Sequence, residues 1–258
     1  MIDILKDVLI VLVLVYVGFG VVLFFSQKSI IYYPDKQDFR SCEGFHDSEK
    51  LNLNGTRAYF KKNSEKLVVF YHGNAGSACD RAFLKDRFEE IGLSYLFVEY
   101  AGYSGDRKVP SSDLLIKDVE NVVGFIEGEA FEEIFVGGGS IGSSLAIYHS
   151  TLVEVDRMLL VTPFYSAKDM AKKLYGVYPV SLMLRDHYDS NVWIKDTKAS
   201  QIRVVHGEAD KIIPVSQSRK LYNEIEIKDK DYVSVPGSGH NDIYYFDETW
   251  EAVLDFLK

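Results

Sequence analysis

The stretch Phe135-Val136-Gly137-Gly138-Gly139-Ser140-Ile141-Gly142-Ser143-Ser144 constrains this chain more than any other. Apolar Ile134 to Val136 predicts a short buried strand, and Ile141 onward, through Leu145, Ala146 and Ile147, predicts a helix. A strand that reverses into a helix within two residues holds Ser140 in a strained backbone conformation, and bulky neighbours would collide with both elements. Gly138-Gly139-Ser140-Ile141-Gly142 fits G-x-S-x-G, a turn that exposes a serine hydroxyl at the C-terminal edge of a sheet. The adjoining helix N-terminus favours developing negative charge there.

Other patterns share these letters. Gly137-x-Gly139-x-x-Gly142 matches a dinucleotide fingerprint, which wants an acid about 20 residues on, at the end of the next strand. That strand, Met158 to Val161, ends in Thr162-Pro163. A phosphate loop needs lysine where Ser143 stands. A glycine turn that only packs helix on strand is the plain alternative, so the remaining chain has to decide.

Strand and helix patterns alternate along that chain. Leu51 to Leu53, Asn54-Gly55 and Thr56 to Phe60 predict a hairpin with a type I′ turn. Buried strands follow at Lys66 to Tyr71 and Ser94 to Tyr100, with helices at Arg81 to Glu90 (Asp80 as N-cap) and Ser112 to Glu127. After the glycine turn come strands at Met158 to Val161, Ile202 to His206 and Tyr232 to Val235, and helices at Val215 to Asn223 and Glu248 to Leu257. Residues 162–201 lack a strand pattern but hold Phe164, Tyr165, Tyr175, Tyr178, Tyr188 and Trp193; they read as a small cap of a few short helices. This order predicts an α/β fold with a mostly parallel sheet covered by helices on both faces, in which ligands bind beyond the carboxyl ends of the strands.

Val8 to Phe25 carries no charge, and none occurs between Asp7 and Lys28. That is enough for one bilayer crossing at about 1.5 Å per residue. A cleaved signal peptide would have a shorter apolar core, a basic leader and an A-x-A site. The expected organisation is an anchor over 1–26, contributing nothing to the sheet, and a domain over 27–258. Lys28, Lys36 and Arg40 follow the span and Lys6 precedes it, which leans toward a cytoplasmic body.

Three strand-end loops bring one chemistry together. Ser140 follows one strand, Asp210 lies in His206-Gly207-Glu208-Ala209-Asp210, and His240 closes Pro236-Gly237-Ser238-Gly239-His240. A serine hydroxyl needs a base to act as a nucleophile, imidazole can supply it, and a carboxylate orients the imidazole. Glu208 and Asp242 are rival acids, and Asp210 could simply cap the helix after Ile213-Pro214. His72-Gly73-Asn74-Ala75-Gly76 supplies a fourth loop. Backbone N–H groups of Asn74 and Ile141 are the candidate oxyanion donors, with His72 holding the loop in shape.

With these residues in place, the chain resembles the α/β-hydrolase-fold serine hydrolases, and among them the membrane-anchored α/β-hydrolase-domain proteins. The resemblance rests on Ile31-Tyr32-Tyr33-Pro34, His72-Gly73-Asn74-Ala75-Gly76, Tyr100-Ala101-Gly102-Tyr103-Ser104-Gly105, Gly138-Gly139-Ser140-Ile141-Gly142, His206-Gly207-Glu208-Ala209-Asp210 and Gly239-His240, in family order. Glu99 and Ala101 depart from the aspartate and arginine common there. The resemblance implies hydrolysis of an ester or thioester on an acylated small molecule, lipid or protein, with no metal and no cofactor. A silent fold member acting as a membrane scaffold is the alternative.

The net charge of −9 speaks against a nucleic-acid partner, and no Cys/His cluster has zinc spacing. Cys42 and Cys79, the only cysteines, could form one disulfide.

Overall fold

The computed structural model describes residues 1–258. Its N-terminal helix α1 spans Ile2–Ile31, 30 residues, with Gly20 its only buried residue. It is long and apolar enough to cross a membrane. The boundary expected at residue 26 falls inside this helix, because no breaker interrupts the segment from Ser26 to Ile31.

The rest of the chain builds one sheet from β1 (Glu49–Leu53), β2 (Thr56–Lys61), β3 (Lys66–Tyr71), β4 (Ser94–Glu99), β5 (Glu133–Gly139), β6 (Val155–Val161), β7 (Ala199–Gly207) and β8 (Lys230–Val235). The spatial order is β1-β2-β4-β3-β5-β6-β7-β8. From β4 to β8 every pair is parallel, while β1 and β2 form the antiparallel edge. Asn54 and Gly55 both take positive φ, 51° and 99°, as a type I′ turn requires.

Helices α2 (Phe83–Glu90), α3 (Ser112–Ile126), α4 (Ile141–Leu152), α8 (Val215–Glu224) and α9 (Asp247–Leu257) connect or follow the strands. Apolar residues on both sheet faces form two cores. One gathers Leu67, Val69, Val136 and Val204 with Leu115, Val119 and Leu145 of α3 and α4. The other gathers Val68, Phe70, Phe97 and Phe135 with Leu84, Phe88 and Val253 of α2 and α9. The near-continuous apolar strands of the sequence are therefore strands buried on two sides.

Two local expectations change. Asp80 does not cap α2, which begins at Phe83; its carboxylate instead accepts from Ser77 N at 3.0 Å and supports the turn after β3. The cap ends at residue 198, since β7 starts at Ala199, earlier than the apolar run suggests. The cap holds three short helices: α5 (Ala167–Tyr175), α6 (Val180–Met183) and α7 (Ser190–Trp193).

Cys42 and Cys79 are joined by a disulfide that pins the connector after α1 to the turn after β3. Closing a loop of 37 residues stabilises the fold by roughly 4 kcal/mol in the chain-entropy account. Such bonds persist in oxidising compartments, which opposes the cytoplasmic lean of the charge count.

Candidate active site

Ser140 sits between β5 and α4 with φ 54° and ψ −121°, a left-handed backbone that a non-glycine residue adopts only under constraint. Its neighbours explain the constraint. A Cβ on Gly142 would lie 2.1 Å from the carbonyl oxygen of Tyr71, and one on Gly138 would lie 2.2 Å from that of Gly142. Glycine is thus required where the helix start presses against β3 and β5. The Ser140 N–H is tied to Val161 O at 2.9 Å, so the turn is anchored to β6 as well.

Asp210 and His240 stand on the loops after β7 and β8, at the same end of the parallel sheet as Ser140. His240 Nδ1 lies 2.8 Å from Asp210 Oδ2. The other Asp210 oxygen accepts from Ile212 N and Ile213 N at 2.9 and 2.8 Å, so Asp210 caps the following turn and faces His240 at once. Burial raises the pKa of its carboxyl, but hydrogen bonds from His206 and His240, the charge of His240 and the Ile213 N–H outweigh burial and hold it below the usual carboxylate range. The rivals point elsewhere: Glu208 is exposed, and Asp242 accepts from Gly239 N at 2.7 Å.

Ser140 Oγ makes no hydrogen bond to His240, so the structure pairs Asp210 with His240 and leaves the hydroxyl unpaired. Catalytic hydrogen bonds are often long without substrate and tighten when it binds.

The loop after β3 runs against this turn: a Cβ on Gly73 would lie 3.6 Å from Ser140 Cβ. The Asn74 N–H has no acceptor within the protein, and Ile141, as first residue of α4, has no acceptor within its own helix. The Asn74 side chain makes three hydrogen bonds. Its oxygen accepts from Tyr33 N at 3.1 Å and Tyr103 Oη at 2.9 Å, and its amide nitrogen donates to Ile31 O at the end of α1. Pro34 and Gly76 pair alongside as an isolated bridge. His72 is buried, stacked on Tyr100 at 3.9 Å between ring centres, and Tyr100 Oη donates to His72 O at 2.7 Å.

Sequence reasoning missed this framework of Ile31, Tyr33, Tyr100 and Tyr103, although the two motifs containing them were visible. It also missed His206, whose Nε2 lies 3.3 Å from Asp210 Oδ2; the four-residue spacing was the available signal. The six cap aromatics divide, with Phe164 in the first core and Tyr165 packed against it. Tyr188 bonds Tyr32 within the fold, Trp193 packs on Tyr148, and Tyr175 and Tyr178 face α1.

This is the α/β-hydrolase fold. An esterase of Pyrococcus furiosus superposes with a TM-score of 0.68 at 15% identity, over 88% of this chain and 97% of that one. By sequence, the chain is 28% identical to an uncharacterised protein of Mycobacterium tuberculosis, over 96% of this chain and 92% of the relative. It is 24% identical to an uncharacterised membrane protein of Saccharomyces cerevisiae, over 76% of this chain and 72% of that protein. No protein-family model matches the chain.

Proposed function

We propose that the chain is a membrane-tethered serine hydrolase acting on carboxylic esters or thioesters. The observation that carries this reading is the strained Ser140 elbow at the sheet edge that also presents the His240–Asp210 pair. The fold shared with the Pyrococcus furiosus esterase supports hydrolysis of esters, and the apolar α1 supports the tether, as does the likeness to a yeast membrane protein.

In this reading, Asp210 accepts from His240 Nδ1 and leaves Nε2 free as the base. Nε2 takes the proton as Ser140 Oγ attacks the acyl carbon, and the new C–O bond gives an oxyanion. The N–H groups of Asn74 and Ile141 bind that oxyanion. The bond to the leaving group then breaks, and the imidazolium returns its proton to the departing oxygen or sulfur. Water, deprotonated by His240, attacks the acyl-enzyme and releases the acid and the free serine. No metal or cofactor enters these steps.

Kinetics on p-nitrophenyl esters from acetate to palmitate test the activity. The expected result is burst kinetics with hydrolysis of at least part of the series. Absence of turnover across the whole series and on acyl thioesters would contradict the reading.

A further inference from the structure

We infer that the groove between α1 and the cap holds the acyl chain of a lipid lying in the same bilayer as the anchor, and that it guides that lipid's ester toward Ser140 from the membrane side. The inference rests on the proposed hydrolase reading and names its substrate.

The groove is lined by ten residues, nine of them hydrophobic. Leu23, Ile30 and Ile31 form one wall, and Ala171, Tyr175 and Met183 belong to the other. The single polar residue, Gln27, is committed to the backbone. Its amide nitrogen donates to Phe24 O at 3.1 Å and Met183 O at 2.8 Å, and its oxygen accepts from Arg185 N at 3.0 Å. The Tyr178 hydroxyl is likewise committed, donating to Tyr16 O at 3.2 Å, so the Tyr175 hydroxyl is the one polar group left to a groove otherwise lined by hydrocarbon, and its occupant is an apolar chain.

Position identifies the source of that hydrocarbon. The cap follows α1 far along its apolar length: Tyr178 stacks on Tyr16 at 4.6 Å between ring centres, and Tyr16 Oη donates to Val177 O at 2.8 Å. Gly20 permits this approach, since a Cβ there would lie 3.0 Å from the Tyr178 ring. Tyr16 is about 18 Å along the helix from Lys28, the first charge after the span. That is more than half of a hydrocarbon core about 30 Å thick. A bilayer around α1 thus also surrounds the cap tip.

The cap's outer face suits this immersion. Leu174, Val177 and Leu182 are 68%, 76% and 84% exposed in the isolated chain. Large bare apolar side chains clustered beside a spanning helix are lipid-facing. Lys172, Lys173 and Arg185 flank them and can reach the headgroup layer. At its inner end the groove reaches Ile31, whose carbonyl is held by Asn74 of the loop beside Ser140. A chain lying in the groove would leave its ester near the water interface, against the candidate site.

The test uses full-length protein carrying Ser140→Ala, to prevent hydrolysis, in phosphatidylcholine vesicles doped with a palmitoyl monoester bearing a diazirine at the chain end. Adducts are mapped by mass spectrometry after irradiation. The expected adducts fall on Leu23 to Ile31 and on Ala171 to Leu184. Ala171→Trp and Ile30→Trp, plugs on opposite walls, each reduce them at least fivefold while labelling of Leu9 to Val15 persists. Equal labelling in both folded plug variants, or labelling of α1 with none on the cap, overturns the inference. So does labelling by a palmitoylated peptide in water but not by the bilayer lipid. Groove adducts that respond to the plugs, in a protein whose wild type hydrolyses no ester, support the groove and remove the catalytic reading alone.

Discussion

The side-chain amide of Asn74 is hydrogen-bonded to the carbonyl oxygen of Ile31, joining the last turn of α1 to the loop that flanks Ser140. Helix α1 thereby helps to fix a candidate oxyanion donor. Asn74→Ala keeps the backbone N–H but releases the loop from α1, Tyr33 and Tyr103. The expected effect is a fall in kcat of about 10–10²-fold with a smaller change in KM, because a mispositioned donor weakens transition-state binding. Steady-state kinetics on a soluble ester check this, and an unchanged kcat would show that the loop holds its geometry unaided.

A triad acts as a unit. Ser140→Ala and His240→Ala should each lower turnover by several orders of magnitude, and the double variant should lose little more. For Asp210→Asn the expected loss in kcat is on the order of 10⁴, through the wrong imidazole tautomer. Glu208→Gln, an exposed change, should stay near wild type. A damaging Glu208→Gln with a tolerated Asp210→Asn would reassign the acid.

The buried His149 sets a pH dependence of stability. Its Nδ1 lies 2.8 Å from Tyr71 Oη, its Nε2 has no partner, and burial pushes its pKa down from 6.5 to about 3. The unfolded chain therefore binds a proton that the folded chain refuses. Stability from this group is full above pH 6.5 and is lost as pH falls toward 3, at up to about 1.4 kcal/mol per pH unit. Denaturation in detergent between pH 7 and 4.5 should show a shallower decline for His149→Gln, which keeps an acceptor for Tyr71 but cannot titrate. Parallel declines would mean that other groups set the slope.

The Cys42–Cys79 disulfide makes a prediction about compartment. Protein taken from its native cells under acid quench should react with a maleimide polymer only after reduction, as expected of a domain in an oxidising compartment. Immediate labelling of both thiols would place the domain in a reducing compartment and revive the charge-count orientation.

Much of the candidate site was legible because its constraints are local. Gly138 is dictated by the carbonyl four residues on and Gly142 by carbonyls at the end of the adjacent strand, and they mark Ser140 directly. Strands between β3 and β7 were visible as apolar runs because both their faces are covered. Strand ends were less visible: Ala199 and Ser200 begin β7 with no apolar run, since register with β6 and not side-chain polarity places them. Least legible was what joins distant segments. Asn74 reaches Ile31, Tyr16 meets Tyr178, and Tyr32 meets Asp186, each pair brought together by tertiary packing that no periodicity records. For that reason the N-terminal helix read as an independent element, whereas α1 packs against the cap and forms one wall of an apolar groove with it.

The central claim is that Ser140 is an activated nucleophile. Full-length protein treated with a fluorophosphonate should gain one adduct, located on Ser140 by peptide mass spectrometry, and the adduct should vanish in Ser140→Ala and fall sharply in His240→Ala. A folded wild-type protein that stays unmodified, or one labelled equally in Ser140→Ala, would contradict the account.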